Sequence, residues 1–202
     1  MPKFGKWSEL ETTPIIDLSS VTKNKNVTIL GKCEFMNPTG SIKDRSAKHM
    51  LNRAEEKGEL KKGMTIVAAS SGNTASSVAM WASMRNYKCL IITNTKCSQE
   101  KIDAVKAYGG EVMVTAEVPV DSPDNFMNIE KRLVKENPDK YYSMNQFDNL
   151  DNPLTYEKTL GPEIWNQVEG NIDYLVATAG TGGTITGTSK FLKQKKPELK
   201  SI

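Results

Sequence analysis

An α/β fold built on mostly parallel sheets is predicted for this chain of 202 residues. Two observations predict it. Short runs rich in β-branched residues alternate with longer stretches of helical pattern, and such alternation requires crossover connections between parallel strands. The composition, 38% hydrophobic and 25% charged, is that of a globular protein with enough chain to bury a core, as one domain or two small lobes.

The elements follow in order. The run VTILGKC (Val27–Cys33) reads as a strand, and Asp44–Lys57 as a helix that Gly58 ends. TIVAAS (Thr65–Ser70) is the next strand, followed by a helix over Thr74–Asn86. CLIIT (Cys89–Thr93) leads into a helix from Gln99 to Tyr108 that stops at Gly109, and EVMVTA (Glu111–Ala116) into a helix over Asp124–Asn137. YYSM (Tyr141–Met144) precedes a helical segment around Glu157–Val168. DYLVATA (Asp173–Ala179) then enters a glycine-rich turn and a last helix from near Thr186, with Pro197 as its stop and Ile202 as the first residue of a further strand. The chain stops where an α/β protein enters another strand, so an unfinished sheet is expected.

Composition also narrows the function. Basic residues number 27 against 24 acidic and are spread along the chain, so no stripe for nucleic acid is present, although a small anionic ligand is compatible. The start, MPKFGKWSEL, has no apolar stretch followed by a cleavage site, and no apolar run approaches the roughly 18 residues of a membrane span. A soluble, cytoplasmic protein is expected. Cys33, Cys89 and Cys97 lack C-x-x-C spacing, and His49 is the one histidine, which argues against disulfide frameworks, metal sites and histidine-based triads. Catalysis must then use a lysine, hydroxyls or a cofactor.

Two strand-to-helix turns look like anion cradles, in the place where open α/β sheets bind ligands. In SSGNTA (Ser70–Ala75), Gly72 lets backbone amides face outward while Ser71, Asn73 and Thr74 supply hydrogen bonds near the helix's positive end. This turn suits a carboxylate or a phenolic oxygen; it also suits an ordinary helix cap. In AGTGGTITG (Ala179–Gly187), Gly180, Gly182, Gly183 and Gly187 permit close backbone approach, and Thr181 and Thr184 add hydroxyls, so a phosphate ester fits. A turn made glycine-rich for packing alone is the alternative. The absence of a Walker lysine and of G-x-G-x-x-G spacing speaks against nucleoside triphosphates and dinucleotides.

Lys43, in NPTGSIKDRS (Asn37–Ser46), stands directly behind a turn that needs Asn37, Pro38 and Gly40 but does not need a lysine. A lysine, a phosphate cradle and a carboxylate cradle are the parts that an aldehyde cofactor with a phosphate arm requires, and pyridoxal 5′-phosphate fits that description. Asp44 and Arg45 beside it read as structural, Asp44 at the helix start and Arg45 in a local pair. Cys97 reads as an inert thiol and His49 as packed or solvated.

NPTGSIKDR, SSGNT, NQFDNLDNPLTYEKTLGPEIW (Asn145–Trp165) and GTGGTITG resemble, in order, the signature motifs of the cysteine synthase and cystathionine β-synthase family, pyridoxal-phosphate enzymes of fold type II. The resemblance runs from Glu11 to Lys200. It implies two open, mostly parallel sheets flanked by helices, divided into residues 1–34 of a large cofactor domain, a small α/β domain over 35–142, and a further, incomplete part of the large domain over 143–202. The C-terminal third of the family's chain, which completes the large domain, is expected to be missing.

The same resemblance implies roles for residues. Lys43 bonds to the cofactor and later shuttles the substrate Cα proton; Asn73 hydrogen-bonds the cofactor's 3′ oxygen. Ser70, Ser71, Thr74 and Gln146 hold the substrate carboxylate, and Gly180, Thr181, Gly182, Gly183 and Thr184 hold the phosphate. Ala75 and Leu150 depart from the family's usual Gly and Pro. The implied reaction is β-replacement on serine or an O-activated serine, with sulfide or homocysteine as second substrate, in a homodimer without metal. The competing expectation is an impaired or truncated homologue that acts as a cofactor-binding or interaction fragment.

Overall fold

The computed structural model describes residues 12–202, so the first eleven residues of the expected 1–34 segment lie outside the described residues. In chain order come strands β1 (Ile15–Asp17) and β2 (Leu30–Lys32), helix α1 (Lys43–Glu56), β3 (Thr65–Ala69) and α2 (Asn73–Met84). Next are β4 (Lys88–Asn94), α3 (Gln99–Ala107), β5 (Glu111–Thr115), α4 (Phe126–Glu136) and β6 (Tyr141–Ser143). The order closes with α5 (Asp151–Lys158), α6 (Leu160–Gln167), β7 (Tyr174–Leu175), α7 (Gly183–Lys195) and β8 (Lys200–Ser201). The α/β expectation is met.

The chain divides into two compact units. One is Lys43–Asn152. Its four strands form a wholly parallel sheet in the order β5-β4-β3-β6, with Ile66 opposite Cys89 on one side and Tyr142 on the other. Ile66, Val67, Ile91 and Ile92 are almost fully buried, so β3 and β4 read as continuous apolar runs in the way that strands covered on both faces do. Helix α1 packs on α2 through Ala47, Met50, Leu51 and Ala54, spaced at helical intervals and all buried.

The other unit joins the described residues up to Ile42 with Pro153–Ile202. Here β1 and β2 pair antiparallel, with Ile15 opposite Lys32, and β7 and β8 pair parallel over two residues each. Tyr156, Leu160 and Ile164 form a buried cluster that Ile42 and Ile172 complete. Lys32 reaches Glu163 and Gln167 of α6.

Several boundaries differ from expectation. β1 was not expected, and β2 keeps only three of the seven residues Val27–Cys33. β7 is limited to Tyr174–Leu175 because it pairs only along the two residues that β8 offers. The segment around Glu157–Val168 is two helices. A continuous helix would need Pro162 to donate to the carbonyl of Lys158, and proline has no N–H, so α5 ends at Lys158. Helix α5 also starts earlier than expected, with Pro153 in its first turn, where proline is well tolerated.

Candidate active site

In the unit Lys43–Asn152, Lys43 is the first residue of α1 and is partly buried. Burial pushes its ammonium below the usual lysine range, because desolvation disfavours the charged form. Asp44 and Arg45 behind it are buried, and the Ser46 hydroxyl donates to the Lys43 carbonyl at 3.2 Å. The first turn of α1 is pinned from α2, where the Trp81 indole N–H donates to the Asp44 carbonyl at 3.1 Å. His49 is half-buried, and burial lowers its pKa.

The Ser70–Thr74 turn leaves β3 with the Ser70 amide still bonded to Ile92 of β4, at 3.0 Å. Ser70 and Thr74 are buried, while Ser71 and Asn73 are exposed. The Ser70 hydroxyl accepts from the Gly72 amide at 3.1 Å, which shapes the turn. A Cβ added at Gly72 would meet nothing within 4 Å, so the space in front of the turn is open. Gly72 caps α2 without a side-chain hydrogen bond, and although the Ala75 amide donates to the Gly72 carbonyl at 3.1 Å, the amides of Asn73 and Thr74 remain for an anion.

Gln146 belongs to this turn although it is far away in sequence. The Thr74 hydroxyl donates to Gln146 Oε1 at 2.8 Å, and Gln146 Nε2 donates to the Ala69 carbonyl at 3.1 Å. Asn152 Nδ2 donates to the Gln146 carbonyl at 2.8 Å and fixes the backbone beneath it. Ser70, Ser71, Thr74 and Gln146, matched to one role from the sequence, are thus neighbours in space.

In the other unit, the Gly180–Thr184 loop runs into α7. Gly182 is the N-cap residue, in the left-handed region at φ 79°, which a side chain would strain. It offers no side-chain cap, and a Cβ at Gly180 would meet nothing within 4 Å. Backbone amides at a helix start, hydroxyls at Thr181 and Thr184 and open space in front of glycine suit a phosphate dianion. Further along, inside α7, Gly187 is tight: a Cβ there would lie 1.9 Å from the Pro153 carbonyl oxygen. That glycine serves helix packing.

Glu130 was missed from sequence. It is a buried carboxylate on α4 that accepts from the Ala69 amide at 3.1 Å and from the Ser143 hydroxyl at 2.6 Å. Burial raises its pKa, opposed by those hydrogen bonds. Among the described residues no cluster of His, Cys, Asp or Glu could hold a metal ion.

One unit carries a partly buried lysine and an open serine–threonine turn, and the other carries a glycine-rich helix start that suits a phosphate. The pyridoxal-phosphate dependent enzyme family matches residues 7–202, and the chain belongs to that family. It is 44% identical over 193 residues to a cystathionine beta-synthase of Apis mellifera, covering 94% of this chain and 38% of the relative. It is 39% identical over 190 residues to cysteine synthase 1 of Neurospora crassa, covering 94% of this chain and 50% of the relative. The crystal structure of a cysteine synthase from Entamoeba histolytica matches with a TM-score of 0.89 and 32% identity, over 98% of this chain and 59% of that one. The fold is that of type II pyridoxal-phosphate enzymes, and the chain spans half or less of the length of these two curated relatives.

Proposed function

We propose that the chain carries the lysine and the ligand-holding turns of a pyridoxal-phosphate-dependent β-replacement, in which serine or an O-activated serine exchanges its β-substituent for sulfide or homocysteine. The observation that carries this reading is the hydrogen bond between Thr74 and Gln146. It joins residues 72 positions apart at an open turn shaped for a carboxylate, in the unit that also holds a lysine whose amine burial favours as neutral.

Bound pyridoxal phosphate supplies an aldehyde for amines and a ring that accepts the electrons of the substrate Cα. Lys43 Nζ would hold the cofactor through that aldehyde and would serve as the base for the substrate Cα proton. Burial keeps the amine competent as a base at lower pH than an exposed lysine. Asn73 would donate to the cofactor's ring oxygen, and the amides and hydroxyls of Gly180–Thr184 would hold its phosphate. Ser70, Ser71, Thr74 and Gln146 would hold the substrate carboxylate.

The test is borohydride reduction of the chain after incubation with pyridoxal phosphate. A violet-edge absorbance that disappears on reduction, with added mass on Lys43 and none in Lys43→Ala, is expected. Label scattered over surface lysines, or no label at Lys43, overturns the assignment. Offering sulfide or homocysteine to the loaded chain with serine and with O-acetylserine then separates the second substrates by product mass.

A further inference from the structure

Strand β3 turns its odd-numbered residues toward β6: the Thr65 amide bonds to the Lys140 carbonyl, and the Val67 carbonyl accepts from the Met144 amide. By this alternation the N–H and C=O of Ala69 point to where β6 would continue. Strand β6 does not continue. It ends at Ser143, and the chain turns away through Asn145, a non-glycine residue at φ 42°.

Both groups of Ala69 are closed by side chains instead. Gln146 Nε2 takes the carbonyl, and Glu130 Oε2 takes the amide at 3.1 Å. The other oxygen of Glu130 accepts from the Ser143 hydroxyl at 2.6 Å, and that hydroxyl accepts from the Asn145 amide at 3.0 Å. One carboxylate therefore stands in for the missing strand and joins the end of β3 to the start of the segment that carries Gln146. Had β6 continued, Gln146 would lie in the ladder and would not reach Thr74.

We propose that Glu130 is a positioning residue of the carboxylate-holding turn, fixing Ala69 and Ser143 so that Gln146 meets Thr74. The inference rests on the reading that this turn takes an amino-acid carboxylate. A satisfied amide needs only one acceptor atom, and a buried carboxylate is a costly way to provide it. The two-point attachment across β3 and β6 is what a carboxylate adds.

The experiment uses the chain loaded with pyridoxal phosphate and L-serine as the probe. Serine affinity is measured by calorimetry, amide hydrogen exchange at Ala69 and Asn145 by NMR, and melting temperature alongside. The variants are Glu130→Ala, Glu130→Asp and Glu130→Gln, with the exposed Glu136→Gln on the same helix as control.

Glu130→Ala is expected to weaken serine binding about tenfold or more, from loss of the two hydrogen bonds that hold Ala69 and Ser143, and to speed exchange at Ala69. Aspartate, one methylene too short to span both partners, should behave like alanine. Glutamine, which accepts from Ala69 and donates to Ser143, should recover most of the affinity, and Glu136→Gln should change nothing.

Serine affinity within twofold of the parent in both a folded Glu130→Ala and Glu130→Asp overturns the proposal. So does a glutamine variant as weak as alanine at an unchanged melting temperature. If Glu130→Ala does not fold, the aspartate and glutamine pair decides. If the parent itself does not bind serine, the functional reading falls, and exchange at Ala69 still decides whether Glu130 holds the turn.

Discussion

The Trp81 indole N–H donates to the backbone carbonyl of Asp44 across 3.1 Å, tying the middle of α2 to the residue that follows Lys43. The ring is almost fully buried, with the Lys48 ammonium 5.5 Å and the Arg85 guanidinium 5.0 Å from its centroid. Trp81→Phe removes the donor and part of the packed volume. A loss of about 2–3 kcal/mol is expected in urea unfolding at unchanged slope, about 1 of it from the hydrogen bond. A loss below about 0.5 kcal/mol would show that the bond does not hold α1 to α2.

Gly187 gives a sharper steric case. A Cβ there would lie 1.9 Å from the Pro153 oxygen and 2.9 Å from the Glu157 nitrogen, so backbone has to move. At Gly161 the nearest atoms belong to the Phe191 side chain, at 2.8 Å, and a side chain can rotate. Gly187→Ala should cost about 3 kcal/mol or more and Gly161→Ala about 1 kcal/mol. Thermal melts of the two variants check the order, and equal midpoints would contradict it.

The parallel sheet was legible because TIVAAS and CLIIT have apolar centres, as strands covered on both faces do, and alternate with helical stretches. Helix stops were legible from Gly58, Gly109 and Pro197, each of which lies within two residues of the end of its helix. What escaped depended on partners distant in sequence. The three residues of β1 carry too little pattern to stand out without β2. Glu130 sits among KR and KE pairs and reads as part of a solvated face. The signal that could have found it is register: Phe126, Glu130 and Leu133 share one helical row, so Glu130 is a charge on an apolar face. Gln146 came from the family resemblance, since nothing local in NQFDN points to Thr74.

The partly buried amine of Lys43 has a defined pH signature. Its pKa is lowered in the folded chain by desolvation, against about 10.4 when unfolded. Between the lowered value and about 10.4 the unfolded state binds more protons, so this group makes stability rise with pH in that window. Lys43→Met should lose the rise. Urea midpoints of both proteins from neutral pH upward measure it, and parallel curves would contradict the shift. Site-resolved acetylation, followed by mass spectrometry, should find Lys43 reaching half-maximal rate at a pH below the usual lysine range.

Thr93 sits at the end of β4, 1% exposed, and among the described residues its hydroxyl has no hydrogen-bond partner. Its carbonyl is engaged, accepting from the Thr115 hydroxyl at 3.1 Å, so only the side chain is unsatisfied. Leaving a buried hydroxyl without a partner costs about 1–3 kcal/mol, whereas valine has the same branched shape and nothing to satisfy. Thr93→Val should therefore stabilise the chain by about 1 kcal/mol. Thr74→Val makes the opposite case, since it breaks the 2.8 Å bond to Gln146 and leaves Oε1 of that residue without its donor. It should destabilise by about 1 kcal/mol and weaken serine binding with it. Urea unfolding of both variants at equal slope reads the two signs, and a destabilised Thr93→Val would mean that its hydroxyl is hydrogen-bonded in solution.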